Sequence, residues 1–267
     1  MMFKFGFSST IPEESAPDSP KQTLNWLKSH KIRPETVSLP DLAPNSRRCG
    51  QFDVKFISNK AVLSVLKDGA PNAEKSHSDL IPAVYEGGLK VWECTFDLVD
   101  FLVRENIDFG GKKVLDLGCG AGIVGILACL KGAKTVFQDY NLEVIKTLTI
   151  PNIHLNGLDC DNCEFFCGDW GSFLDLQLTE DKKYDFILTS ETIYNTNNYK
   201  KILSIFKQLL EPSGMIFLAA KCHYFGVGGG VPQFEDLLDL EDVFDHTTCY
   251  QSPSGVKRAI IKITFKN

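Results

Sequence analysis

A doubly wound α/β fold with a mostly parallel sheet is predicted by three features of the sequence. The apolar run Lys113-Val-Leu-Asp-Leu117 ends in glycines and is followed at once by a helical run, Ile123 to Leu130. Strand-like and helix-like stretches then alternate, which is the signature of parallel strands joined by helical crossovers. The tail Val256 to Phe265, carrying Ile260, Ile261 and Ile263, follows with little helix before it, so a hairpin and an antiparallel edge strand are expected at the end.

In chain order, Trp92 to Arg104 places Phe96, Leu98, Val99, Phe101, Leu102 and Val103 at helical spacing, with Thr95 suited to cap its start. Thr135 to Gln138 reads as a second strand, and Leu142 to Asn156 as a helical run interrupted at Pro151. Cys163 to Cys167, Tyr184 to Thr189 and Met215 to Ala220 read as further strands, with a helix at Tyr199 to Leu210 before the last. No internal repeat is present.

The chain has 267 residues, 43% hydrophobic and 23% charged, enough for one sizeable domain plus an appendage. Seven of the 12 prolines fall before residue 72, interleaved with Ser, Asp, Asn and Lys. Residues 1–75 are therefore expected to be a proline-rich extension, partly disordered or docking, and residues 76–267 the main domain. Two stretches of the extension suit docking: Phe3, Phe5 and Phe7 on one face of a short strand, and the apolar segment Phe52 to Leu66. A chain starting near Phe52 is expected to fold and to bind its cofactor.

A formal net charge of −6 disfavours direct nucleic-acid binding and suits a basic protein partner. The longest apolar run, Ala121 to Leu130, is about half a bilayer span, so no membrane segment is expected. The N-terminus lacks the pattern of a signal peptide, and reduced thiols are expected for the nine cysteines. Cys160, Cys163 and Cys167 invite a metal reading, yet no fourth ligand stands at the needed spacing, and no metal is expected.

Asp116-Leu-Gly118-Cys-Gly120-Ala-Gly122 follows the first strand and opens a helix. Glycines there allow positive φ and close approach of a ligand to the backbone. Gly120, Gly122 and Gly125 also spell a dinucleotide fingerprint, but such a fingerprint should begin where the strand ends, at Gly118, and its third glycine would then be Ile123. A carboxylate at Asp116 repels a pyrophosphate and attracts the ammonium of a methionine moiety, which favours S-adenosylmethionine. Asp139, at the end of the second strand, is placed to accept both ribose hydroxyls; the alternative is a helix cap. Asp169, after the third strand, is a candidate acceptor for the adenine amino group with Trp170 beside the base, the alternative being an exposed turn.

The run Ser78 to Thr95, the glycine turn, Gln138-Asp-Tyr140, Leu148 to Asn152, Gly168-Asp-Trp170, Leu188 to Tyr194 and Ala220 to Gly230 together resemble the histidine protein methyltransferase family. The resemblance covers about Ser76 to the end, with Val84 to Thr95 and His223 to Gly230 as its narrower signals. It implies a seven-stranded Rossmann-like methyltransferase sheet with an antiparallel C-terminal strand. It also implies a cytoplasmic enzyme, the nucleus or nucleolus remaining open, that methylates a histidine of a basic large-subunit ribosomal protein. A monomer is expected. Relatives carry a longer, charged insertion before the Gly-Asp/Glu-Trp segment, whereas Asn156 to Glu164 here is short and acidic.

By the same resemblance Val91, Trp92, Glu93, Cys94 and Thr95 stand at the methionine end of the cofactor and Gly118, with Gly120, beneath it. Gln138, Asp139 and Tyr140 then stand at the ribose, Gly168, Asp169 and Trp170 at the adenine, and Ser190 in the lining. For the transfer itself, a neutral imidazole offers a lone pair without a strong base, and what helps is an acceptor that fixes its tautomer. Glu191 is the candidate acceptor and Tyr194 a ring to stack on or bond the imidazole, with a capping carboxylate and a half-buried aromatic as the alternatives. His223 belongs to a glycine-rich lip that could close over a substrate loop, or is structural. The competing functions are a methyltransferase acting on lysine or a small molecule, and a non-catalytic cofactor-binding protein.

Overall fold

The computed structural model describes residues 26–34, 44–57 and 84–266. The Phe3, Phe5, Phe7 strand, residues 58–66 of the second apolar stretch and the boundary expected at residue 75 lie outside them.

Among the described residues ten strands form in chain order: β1 (His30–Ile32), β2 (Asn45–Cys49), β3 (Phe52–Phe56), β4 (Lys113–Leu117), β5 (Lys134–Asp139), β6 (Cys163–Cys167), β7 (Tyr184–Ser190), β8 (Leu210–Lys221), β9 (Phe244–Gln251) and β10 (Arg258–Phe265). Eight of them make one sheet in the order β1-β6-β5-β4-β7-β8-β10-β9, with β6, β5, β4, β7 and β8 parallel. β10 runs antiparallel between β8 and β9. The expected terminal hairpin is present, but the edge belongs to β9; β10 lies inside the sheet, as its fully buried Ile260, Ile261 and Ile263 require.

The sheet is covered on both faces. Helix α1 (Glu93–Arg104), α2 (Ile123–Leu130) and α3, which runs through Leu142–Val144, Ile145–Thr149 and Ile150–Leu155, pack into one hydrophobic cluster. α4 (Trp170–Thr179), α5 (Tyr199–Leu209) and α6 (Val231–Glu241) pack into the other. α6 corrects the expectation of little helix before the tail: Pro232 stands in its first turn, where a missing N–H costs nothing, and Phe234 and Leu238 bury one stripe.

Two local readings also change. Thr95 does not cap α1; its hydroxyl lies 3.1 Å from that of Ser190, and the helix starts after Trp92 without a side-chain cap. Pro151 does not interrupt α3. A π turn at Ile145–Thr149 precedes it, loosening the backbone ladder where proline supplies no donor.

The described parts of residues 1–75 are built onto this core. β1 extends the sheet by pairing antiparallel with β6, His30 opposite Cys167 and Ile32 opposite Phe165. The β2–β3 hairpin contributes Val54, Phe56 and Ile57 to the α1–α3 cluster. The Arg47 guanidinium lies over Phe96 and pairs with Asp100 of α1. Buried Asn152 ties hairpin and glycine turn together, accepting from Ile57 N–H and donating to the Ala121 carbonyl, each at 2.8 Å.

Among the described residues no helix is long and apolar enough to cross a membrane. The nine cysteines are free thiols, and Cys160, Cys163 and Cys167 do not converge: their sulfurs face His154, Cys129 and His30 respectively. No group of three or more metal-ligating side chains occurs among the described residues.

Candidate active site

The C-terminal ends of β4, β5, β6 and β7 open into one cleft, the place where a parallel sheet exposes its loops to a ligand. Gly118 and Gly120 take φ of 67° and 51°. A Cβ at Gly118 would come 2.6 Å from the Thr192 side chain, so bare backbone is required. Asp116 does not reach the cleft. α2 begins at Gly122 with no side-chain cap, and the Asp116 carboxylate supplies the missing acceptor, taking Gly125 N–H at 2.8 Å. Burial pushes this carboxyl up to about 8, so its place is within the fold and not beside a methionine ammonium.

Asp139 closes β5 and lines the cleft, receiving Gly120 N–H at 2.9 Å and Asn141 N–H at 3.2 Å. Burial raises its carboxyl to about 6 against those two donors. Gln138 is fully buried outside the cleft. It donates to the Gly168 carbonyl at 2.8 Å and accepts from the Trp170 indole at 2.7 Å, which makes it a positioning residue for the wall. Tyr140, Gly168, Asp169 and Trp170 line the same end. Asp169 does cap α4, through Gly171 N–H, and pairs with Lys201.

At the other end stand Val91, Trp92, Thr95 and Ser190, together with Glu191 and Tyr194. Glu191 is buried and holds a φ of 59°, strained for a non-glycine residue. Its carboxylate receives the Tyr224 hydroxyl at 2.5 Å and Cys94 N–H at 3.4 Å, with the Lys221 ammonium 3.8 Å away. Burial and the neighbouring Glu191 push the Tyr224 phenol well up, so it stays a proton donor. The Tyr194 hydroxyl donates to Glu86, and the Tyr194 and Tyr224 rings meet edge to face at 6.3 Å. Glu93, Cys94 and His223 stand outside the lining: Glu93 is exposed and paired with Lys221, Cys94 is buried behind Glu191, and His223 points to solvent. The next residue of the lip, Tyr224, packs behind the lining against Glu191 and Tyr194, and the lip is pinned where Gly229 N–H meets the Tyr194 carbonyl.

Sequence reasoning missed Tyr224 although it lay within a motif already singled out. It missed Trp26, which lines the cleft from the N-terminal segment, and Glu86, Lys90, Thr192 and Asn198. Trp26 carried no local signal, and its presence in the cleft opposes the expectation that a chain starting near Phe52 binds cofactor normally.

The cavity encloses about 760 Å³ including its open mouth, and carboxylates of Glu86, Asp139, Asp169 and Glu191 border it. The negative lining suits a nucleoside joined to a cationic sulfonium, with Asp139 able to hold the ribose diol, aromatic walls for the base and bare glycine backbone under the chain between them. S-adenosylmethionine fits these residues.

Comparisons with known proteins agree. A lysine methyltransferase family model matches residues 83–224. The histidine protein methyltransferase 1 homologue of Bos taurus is 46% identical, over 94% of this chain and 75% of its own length. That of Dictyostelium discoideum is 46% identical, over 71% of this chain and 61% of its own. Among solved structures, a SAM-dependent methyltransferase from Agrobacterium tumefaciens superposes with a TM-score of 0.52 at 16% identity, covering 87% of this chain and 72% of that one, a likeness of fold. With the sheet, the glycine turn and Asp139 at the end of β5 in place, these matches assign the chain to the histidine protein methyltransferase 1 family of S-adenosylmethionine-dependent protein methyltransferases.

Proposed function

We propose that this enzyme methylates a histidine side chain of a large-subunit ribosomal protein. The observation that carries the reading is the 46% identity, over 94% of the chain, to a relative named for histidine methylation. When bound, the cofactor supplies an electrophilic methyl group on a sulfonium. The chain's own part is to align the acceptor and keep water away.

The acceptor end supports an imidazole over an ammonium. Glu191 and Glu86 each already take a phenol hydroxyl, so neither is a free base waiting for a lysine proton. A histidine, with an ordinary pKa of about 6.5, arrives mostly neutral at pH 7, whereas a lysine near about 10.4 must first lose a proton. Tyr194 offers a flat wall for a ring, braced edge-on by Tyr224.

The substrate class follows from the motif resemblance and from charge: at −6 the enzyme attracts a basic ribosomal protein, in the cytoplasm or in the nucleus or nucleolus. Transfer of labelled methyl into extract of cells lacking the enzyme, followed by acid hydrolysis, tests the reading. Label in methylhistidine on a large-subunit ribosomal protein is expected, at a rate that falls as salt screens the encounter. The family model's lysine description makes methyllysine the competing outcome, and label confined to methyllysine or small molecules overturns the proposal.

A further inference from the structure

The adenine amino group was expected to meet Asp169, whose carboxylate already has a partner on each oxygen: one takes Gly171 N–H at 2.8 Å and the other pairs with Lys201. Its main-chain N–H is also used, by the Leu27 carbonyl at 2.8 Å. Asn198, at the start of α5, has the opposite character. It lines the cavity, yet its buried side-chain oxygen has no hydrogen-bond partner among the described residues. An amide oxygen left that way is destabilising, and a turn of the Asn198 amide toward the cavity would let a donor there relieve it.

Trp26 lines the same cavity and is held firmly. Its ring meets Tyr140 edge on at 5.9 Å, the Lys201 ammonium sits 3.6 Å from its ring centre, and Leu27 N–H donates to the Tyr140 hydroxyl at 3.0 Å. Sheet order fixes which end this is. β6 flanks β5 on one side, while β4 and then β7, leading to Glu191, lie on the other. A cofactor with its diol on Asp139 and its methionine across Gly118 toward β7 must send its base to the β6 side. Trp26, Tyr140 and Trp170 stand there, and Lys201, one turn into α5 from Asn198, reaches Asp169 at that same end.

We propose that Trp26 and Asn198 form the adenine subsite. The indole is a wall for the base, and the Asn198 amide oxygen accepts from the exocyclic amino group. The proposal deepens the S-adenosylmethionine assignment and rests on it. It also assigns the N-terminal segment, outside the matched residues 83–224, a direct part in cofactor binding.

Calorimetry with S-adenosylhomocysteine, and with its analogue bearing hydrogen in place of the 6-amino group, tests it on the full chain. The wild type should prefer the amino form by about tenfold; N198A should lose about tenfold for that form alone, so the preference disappears. W26A should weaken both ligands equally, by about tenfold or more, while W26F stays within about threefold of wild type. Ligand-free melting temperatures close to wild type separate loss of contact from loss of fold; a variant that melts early is replaced by N198S or W26L under the same criteria. An amino-group preference that survives the Asn198 substitution, or affinity unchanged by the Trp26 substitution, overturns the subsite. Failure of the wild type to bind S-adenosylhomocysteine overturns the cofactor assignment instead.

Discussion

The Tyr224 hydroxyl donates a 2.5 Å hydrogen bond to the Glu191 carboxylate, locking the glycine-rich lip to the turn that follows β7. Glu191 is thus already engaged before any substrate arrives, and it acts first as the post that fixes the Tyr224 ring beside Tyr194. Its φ of 59° is retained because Tyr224, Cys94 N–H and Lys221 all hold it. E191Q and Y224F should each lower kcat by about tenfold or more, the loss of one charge-assisted bond at about 1.5–3 kcal/mol, with S-adenosylhomocysteine affinity near wild type. Because both break the same contact, the double variant should be little worse than either single one. Full additivity in steady-state kinetics would show that the two residues act separately.

Cofactor affinity should depend on the ionisation of Asp139. The ribose diol donates, so the ionised carboxylate is the binding form, and burial sets its pKa at about 6 in the ligand-free protein. Affinity should be flat above pH 6 and fall by up to about tenfold per unit below it, since binding must first release a proton. D139N keeps the shape but not the charge. It should bind S-adenosylhomocysteine at least about tenfold more weakly at pH 7.5, with a flattened profile; calorimetry from pH 5 to 8 measures both.

What could be read from the sequence was what neighbouring residues decide. β4, the glycine turn and α2 announce themselves because strand, turn and helix follow one another within Lys113–Leu130, and Asp139 and Trp170 stand at the ends of adjacent strands. β1 did not, because its three residues bury only Ile32 and owe their strand to β6, more than a hundred residues later. Trp26 entered the cleft on that same distant pairing. α4 is weakly amphipathic and begins with Trp-Gly-Ser, so its capping aspartate looked like a loop residue. Asp116 was misread for a different reason. A carboxylate beside a glycine turn can face a ligand or a bare helix start, and only the absence of a cap on α2 decides between them.

That role makes Asp116 a stability residue. Its carboxyl is raised by burial from 3.8 in the free side chain to about 8, so the folded protein favours the protonated form. The stability it contributes is fully present below pH 3.8 and is lost as pH rises through 8, because the unfolded chain then binds fewer protons than the folded one. D116N retains an acceptor for Gly125 N–H and cannot ionise. Its stability relative to wild type should therefore improve steadily between pH 5 and 8, read by urea unfolding at each pH. D116A leaves that N–H unpaired and should cost about 1–3 kcal/mol.

Gly168 controls whether the N-terminal segment can dock. Its φ is 107°, and a Cβ there would fall 2.5 Å from the Ser29 Cα, a backbone atom that cannot swing aside. G168A should therefore push residues 26–32 off the sheet, breaking the Leu27 carbonyl contact to Asp169 N–H and the 2.7 Å bond from Ser29 N–H to Ser172. Two readouts should change together: tryptic cutting at Lys28 and Lys31 should accelerate, and S-adenosylhomocysteine affinity should fall as Trp26 leaves the cavity. Gly111 supplies the control for a positive φ without a clash, since its φ of 69° also disfavours a Cβ while nothing lies within 4 Å of one. G111A should lose about 1 kcal/mol of stability without faster cutting or weaker binding, and equal behaviour of the two variants would mean that strain alone, and not the Ser29 contact, governs the segment.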